Sequence, residues 1–128
     1  MIPLVVALGG GLGAVARFVV DSAVARRNDT GFPLGTMAVN VTGSFVLMLL
    51  VVWGGRVVSD PLADLIYAAA GVGFLGGYTT FSTASVEGVR LISVGRWGAG
   101  IGHALGMLAA CYAAALLALL LGATLWAE

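Results

Sequence analysis

The sequence predicts an all-α integral membrane protein with four transmembrane helices, the third of them broken near its middle. Charged residues make up only 9% of the 128 positions and hydrophobic residues 60%, and the mean hydropathy is +1.06. Soluble domains carry roughly 25% charged residues, so this chain is expected to contact membrane lipid as a multi-pass protein of the cell membrane. Four stretches supply the about 20 apolar residues that a spanning helix needs: about 3–20, 33–53, 62–81 with a broken continuation to 93, and 97–126. Residues 1–128 therefore form one domain.

The first stretch could be read as a cleaved signal peptide, because Ala14-Val15-Ala16 resembles a cleavage site. It lacks the positive charge that precedes the apolar run in such signals, so we interpret it as a span. Gly9 and Gly13 are four residues apart, a spacing typical of close helix contact in lipid. A polar connection, Asp21–Phe32, is predicted to follow.

The second span places Thr36, Asn40 and Ser44 on one helix face. A mid-span asparagine facing lipid would cost several kcal/mol for its unpaired amide, so Asn40 is expected to face protein or a wet pathway. The pattern leaves two interpretations open: a hydrogen bond between helices, or an amide donor directed at an anion.

The third span begins at a helix-start signal, Ser59-Asp60-Pro61. Its later part, Gly76-Gly77-Tyr78-Thr79-Thr80, joins glycines to β-branched threonines, which have low helix propensity. We therefore predict a break beginning at Gly76. Irregular backbone at membrane depth persists only where protein buries it or a cavity hydrates it, and it commonly coordinates ions.

The fourth span carries a small residue at every fourth position, which predicts close packing along one stripe. Tryptophans stand at predicted span ends, where amphipathic rings sit at headgroup level, and a single cysteine excludes a disulfide framework. The stripe comprises Gly98, Gly102, Gly106, Ala110, Ala114, Ala118 and Gly122, and the tryptophans are Trp53, Trp97 and Trp126.

Ionisable residues within the spans are Arg17, Glu87 and His103, each a candidate functional group. No nucleophile–base set and no metal-ligand cluster occurs, so an enzyme is not expected, and zero net charge gives nucleic acid no basis for binding.

The first and third loops carry most arginines, so the positive-inside rule places them in the cytoplasm and both termini outside. The first and third loops carry Arg26, Arg27, Arg90 and Arg96, whereas the second loop and the termini on the other side carry only Arg56.

Three motifs together resemble the Fluc (CrcB-type) fluoride channels. They are residues 9–18 (GGGLGAVARF), 32–45 (FPLGTMAVNVTGSF) and 76–83 (GGYTTFST). The third motif is specific, whereas the fourth span is only loosely similar. The resemblance implies an antiparallel dual-topology dimer with narrow pores that export fluoride and relieve fluoride toxicity.

The resemblance also implies site residues. A structural sodium ion, held by the backbone carbonyls of Gly76 and Thr79, would lie at the dimer interface without being transported. Asn40 would line the fluoride path with Thr36 nearby, and the Phe81 ring would present its positive edge to the anion. The hydroxyls of the third-span motif and the fourth-span histidine complete the predicted pore: Ser82, Thr83 and His103.

The chain departs from the family pattern in two places. Ala84 stands where a second phenylalanine is usual, and the fourth span offers His103, Met107 and Cys111 in place of a tyrosine and serines. The uneven arginines favour a single orientation, so together with Ala84 they suggest pairing with a sister subunit of opposite bias. An antiparallel homodimer stays open as the other arrangement. A non-conducting interaction subunit remains an alternative. A small multidrug transporter is disfavoured because the first span carries no carboxylate.

Overall fold

A computed structural model describes residues 1–55 and 60–125. Within them the ordered elements are helical without a strand, and four helices are long and apolar enough to cross a membrane. The predicted fold class is thus confirmed, including the broken third span, which covers Pro61–Ser93. Arg56, Ser59 and Trp126 lie outside the described residues. The elements are α1 (Ile2–Ala25), α2 (Leu34–Gly54), α3 (Pro61–Ile66), a π-helical stretch (Tyr67–Leu75), α4 (Gly76–Tyr78), α5 (Phe81–Ser93) and α6 (Trp97–Leu125).

The first connection is shorter than the sequence suggested. Helix α1 continues to Ala25 and so takes in Asp21, which was predicted to open a polar loop. The alanines and valine after Asp21 extend the apolar run, and alanine has the highest helix propensity. In the remaining loop, the Asn28 amide donates to the Phe32 carbonyl at 2.5 Å and turns the chain toward α2.

Helix α1 packs against the third span through glycines. A Cβ added to Gly13 would overlap the Phe74 carbonyl, and one added to Gly77 would overlap the Gly10 carbonyl. A Cβ on Gly9 would come within 2.5 Å of the Ala69 carbonyl oxygen. The predicted contact at Gly9 and Gly13 is therefore confirmed, and its partner is the third span.

The π-helical stretch of the third span was not predicted. It lies beside α1 and is rich in small residues, among them Gly73, whose added Cβ would lie 2.9 Å from the Val6 carbonyl oxygen. Long side chains would hold the two helices apart, so the small residues permit the close approach. π-Helical turns are frequent at functional sites, and this stretch leads directly into α4 and the break.

Within one subunit, the small-residue stripe of α6 does not form a single contact face. Gly98 and Gly102 have open space where a Cβ would stand, whereas Ala118 and Gly122 are buried. An α-helix has 3.6 residues per turn, so a four-residue spacing drifts around its axis and leaves the interface. Near its start α6 packs instead through Gly100, whose added Cβ would lie 2.6 Å from Ile92.

The first and third loops lie at the same end of the helices. The Arg96 guanidinium donates to the Gly31 carbonyl at 3.1 Å, and the rings of Phe32 and His103 meet edge to face, 5.5 Å between centroids.

At the start of the third span, the Asp60 carboxylate accepts from the Leu62 amide at 2.9 Å, so the predicted start signal does cap α3.

Candidate functional site

Two residues in extended conformation interrupt the third span. Thr79 has φ −74° and ψ 157°, and Thr80 has φ −152° and ψ 121°, between α4 and α5. Threonine hydroxyls compete with the backbone for hydrogen bonds, and that of Thr79 donates to the Leu75 carbonyl at 2.9 Å. The predicted break is present about midway along the span, although Gly76 itself remains helical.

Thr80 caps the helix that follows the break. Its hydroxyl accepts from the Thr83 amide at 3.2 Å and donates to the Thr83 hydroxyl at 3.0 Å. The Ser82 hydroxyl lies 3.3 Å from the Thr80 hydroxyl. An N-cap hydroxyl stabilises a helix start by about 1 kcal/mol, so the hydroxyl residues of the motif first serve to begin α5.

Asn40, on the neighbouring helix α2, stabilises the extended backbone at the break. Its Oδ1 accepts from the Thr80 amide and its Nδ2 donates to the Thr80 carbonyl, both at 2.8 Å, and all of these groups are buried. One side chain thereby satisfies both main-chain groups of a residue inside the membrane. The Nδ2 also donates to Met107 Sδ at 3.2 Å. Asn40 is thus an interhelical link whose second N–H contacts only a thioether, a weak acceptor.

Two main-chain carbonyls lose their helical partners at the break. In a continuous helix the Thr80 amide would donate to the Gly76 carbonyl and the Thr83 amide to that of Thr79. Here those amides are taken by Asn40 and by the Thr80 hydroxyl. The Thr79 carbonyl receives only a long contact of 3.5 Å from the Arg17 guanidinium. Gly76 is exposed at the surface of the chain.

A cavity of about 620 Å³ opens beside the break, between α2, α5 and α6. We call it the break cavity. The Phe81 ring, 89% exposed, stands at its mouth. Its lining combines amide and hydroxyl groups with apolar and sulfur-containing side chains: Asn40, Ser44, Leu47, Gly76, Thr79, Thr80, Phe81, Ala84, Ser85, His103, Ala104, Met107, Leu108 and Cys111.

A smaller cavity of about 200 Å³ lies on the other side of Thr80, which lines both. This second space, the Arg17 cavity, combines a cation with hydroxyl groups. Its lining comprises Ala14, Arg17, Phe18, Asp21, Thr36, Val39, Thr80 and Thr83.

His103 is 1% exposed, and neither ring nitrogen has a hydrogen-bond partner among the described residues. Its Nε2 lies 3.8 Å from Glu87 Oε2, too far for a hydrogen bond, and that oxygen is unpartnered as well. Thr36, 2% exposed, lies beside the same carboxylate. Of the three ionisable residues singled out in the sequence, Arg17 lies at the Thr79 carbonyl and His103 lines the break cavity, while Glu87 lies next to His103.

The structure divides the predicted pore residues between two cavities. Asn40, Phe81 and His103 line the break cavity, whereas Thr36 and Thr83 line the Arg17 cavity, and Ser82 contacts Thr80. The predicted carbonyl pair, Gly76 and Thr79, also borders the break cavity.

Sequence reasoning missed Ser85 as a lining residue and Thr80 as the target of Asn40. No residue type signals the second contact, because Asn40 binds only main-chain atoms there.

Comparison with known proteins gives a consistent result. Residues 4–122 match the family model of the CrcB-like proteins, described as Camphor Resistance (CrcB). The chain is 47% identical over 122 residues, 95% of its length and 87% of the relative's, to fluoride-specific ion channel FluC 1 of Leifsonia xyli subsp. xyli. It is 42% identical over 127 residues, covering 95% and 98% respectively, to fluoride-specific ion channel FluC 2 of Cutibacterium acnes. A fluoride-specific ion channel FluC of Koribacter versatilis is 42% identical over 112 residues, covering 87% and 86%.

Proposed function

The chain belongs to the CrcB-like family, and from this membership and the geometry of the break we propose that it is a subunit of a passive, fluoride-selective channel in the cell membrane. Its relatives are named as ion channels rather than enzymes. The observation that carries the proposal is the second N–H of Asn40. A buried amide donor whose partner is a thioether, 3.2 Å away, exchanges that partner for an anion at little cost.

Fluoride is small and strongly hydrated, so a pore must replace its lost water with hydrogen-bond donors. Hydrogen bonds to an ionised acceptor are roughly twice as strong as neutral ones. The Asn40 amide supplies such a donor within the break cavity, held in place by its bonds to Thr80. The Phe81 ring at the mouth offers a positive edge, so an anion is attracted without a fixed countercharge.

In the proposed channel, the other predicted pore residues lie beside this path. Thr36 and Thr83 supply hydroxyl groups in the Arg17 cavity, Ser82 supplies one next to Thr80, and His103 borders the break cavity. Several weak sites in series allow an ion to leave as readily as it enters. Thr80 lines both cavities, which places the Asn40–Thr80 link between them.

Export follows from the membrane potential. Moving one elementary charge across 100 mV is worth about 2.3 kcal/mol, and an interior-negative potential drives anions outward. Arg26, Arg27 and Arg96 lie in the first and third loops, and Arg90 lies in the last turn of α5 beside the third loop. Both loops share one end of the helices, which the positive-inside rule places in the cytoplasm. A passive pore therefore suffices to release fluoride that has entered as hydrogen fluoride.

A structural sodium ion fits the carbonyls of Gly76 and Thr79. The support is the diversion of their helical partners, the amides of Thr80 and Thr83, to other acceptors. Hard cations take oxygen ligands such as backbone carbonyls. When bound, the ion supplies positive charge that joins subunits without being transported. The exposed Gly76 gives a second subunit access to the same ion, in an antiparallel dimer.

A heterodimer is the second candidate, and Ala84 favours it. This residue lines the break cavity beside Phe81 but presents only a methyl group there. A sister subunit of opposite arginine bias would supply the absent ring and a competent pore. In that case the present chain contributes the dimer interface and a degenerate pore of its own.

Fluoride efflux from liposomes tests the function. We expect the purified chain, reconstituted with valinomycin to balance charge, to release fluoride to an ion electrode at least about a hundredfold faster than chloride, because the path is lined by hydrogen-bond donors. Protein-free liposomes are the control. Release only after a sister subunit is added would replace the homodimer by the heterodimer, and equal release of both anions would reject selectivity.

Sodium removal tests the structural ion. Replacing sodium with N-methylglucamine during purification is expected to lower the melting temperature and to shift the dimer toward monomer in size-exclusion chromatography, because bound ligands stabilise the state that holds them. Readdition of sodium should reverse both changes. An unchanged melting temperature and dimer fraction in sodium-free buffer would exclude a sodium ion at Gly76 and Thr79.

A further inference from the structure

Three residues on one face of α6 carry ligand atoms for soft metal ions. His103, Met107 and Cys111 are spaced four residues apart, and all three line the break cavity. Residues four apart on a helix are neighbours in space, and pairs at this spacing bind metals in known helical sites. The face thus presents an imidazole, a thioether and a thiol in succession.

His103 supplies an independent indication of a ligand. It is 1% exposed, and both ring nitrogens lack a partner within the described part of the chain. A neutral imidazole carries one nitrogen lone pair, and leaving such a buried polar group unpartnered costs about 1–3 kcal/mol. A metal ion bound to that lone pair would relieve the cost, and the Glu87 oxygen at 3.8 Å does not.

The ligand types select the class of metal. Thioether and thiolate favour soft ions such as Cu(I), whereas carboxylate and carbonyl oxygens favour hard ones. No group of three histidine, cysteine or acidic side chains gathers in residues 1–55 and 60–125, so these residues do not offer the four-ligand site typical of zinc. We propose that His103, Met107 and Cys111 form a binding ladder for a soft monovalent cation, Cu(I) or Ag(I).

Met107 is the ligand common to both steps of the ladder. His103 and Cys111 are eight residues apart, about 12 Å along the axis, so one ion is held between two neighbouring ligands. The upper step is His103 with Met107, and the lower step is Met107 with Cys111. The Met107 sulfur also accepts a hydrogen bond from the Asn40 amide at 3.2 Å. A cation bound to this sulfur therefore lies directly beside the Asn40 donor.

Silver binding to the purified, tag-free chain tests the ladder without relying on channel activity. A lone thiol binds silver by itself, so the decisive variant is Cys111→Ser, which leaves only the upper step. Titration with silver nitrate in chloride-free buffer should show one ion bound. The double variants C111S/M107L and C111S/H103Q should bind at least about tenfold more weakly, a difference of about 1.4 kcal/mol.

The matched control is C111S/M48L, in which the methionine lost does not line the break cavity; it should bind like C111S. His103 is the single histidine of the chain, so its nitrogen resonances report directly on metal bound to the imidazole and should shift with silver. The ladder is overturned by a C111S chain that binds no silver, by C111S/M107L binding as tightly as C111S, or by an unshifted His103.

A second measurement rests on the proposed function. Silver should reduce fluoride efflux from liposomes containing C111S, because the cation occupies the position beside Asn40. For C111S/M107L, whatever its own efflux rate, the rate with silver should equal the rate without silver. If C111S still releases fluoride as fast with silver bound as without it, the silver site does not lie on the fluoride path. Silver bound by a chain that never conducts fluoride would leave the ladder standing and reject the channel.

Discussion

Asn40→Ala should abolish measurable fluoride efflux and lower the free energy of unfolding by about 2–6 kcal/mol. The substitution leaves the Thr80 amide and carbonyl without their partners at 2.8 Å, and each buried group left unpaired costs about 1–3 kcal/mol. It also removes the donor proposed to replace fluoride's water. The measurements are efflux from liposomes and thermal unfolding in detergent.

Ser44→Ala is the matched control for Asn40. Ser44 lies one turn further along the same face and lines the same cavity, but it makes no contact with the break in the described hydrogen-bond network. Its variant should unfold at nearly the wild-type temperature. If Asn40→Ala retained both the wild-type melting temperature and the wild-type efflux rate, the role assigned to the Asn40–Thr80 link would be refuted.

Gly13→Ala should prevent α1 from docking onto the third span. Its new methyl group would overlap the Phe74 carbonyl and lie 2.9 Å from the Tyr78 amide nitrogen. These are main-chain atoms, which cannot rotate away, so the helices must separate or the chain must misfold. Overpacking costs typically about 1–3 kcal/mol and occasionally more, and we expect the upper end here. The measurement is the yield of monodisperse protein and its melting temperature.

Gly11→Ala provides the comparison on the same helix. No atom lies within 4 Å of the position its Cβ would take, and alanine favours helix over glycine by about 1 kcal/mol. That variant should therefore be as stable as wild type or more so. Equal stability of the two variants would contradict the docking of α1 seen in the structure.

The sequence predicts the spans well because lipid imposes a simple length and composition rule. It also locates the break, since Thr79 and Thr80 are poor helix formers that follow paired glycines. It misplaces the start of the break, which lies at Thr79 and not at Gly76, because the position is set by Asn40 taking the amide of Thr80. That contact joins residues 40 positions apart, and propensity carries no information on it.

The candidate site was predictable in its residue types and less so in its arrangement. Asn40 could be named because a mid-span amide must face protein or a wet pathway, whereas Phe81 was named from the family resemblance. Whether Asn40 links helices or faces an anion was left open, and the structure shows the link directly. The assignment of Thr36 and Thr83 to one cavity and His103 to another depends on the drift of each helix around its axis.

The link between Asn40 and Thr80 is built from two amide groups, neither of which gains or loses a proton in the physiological range. Fluoride accumulates inside cells when the surroundings turn acidic, since the neutral acid crosses lipid. A link made of a carboxylate or an imidazole would change its charge under those conditions. The Asn40–Thr80 link keeps the same shape and strength in acid, the condition in which the proposed channel would have most fluoride to release.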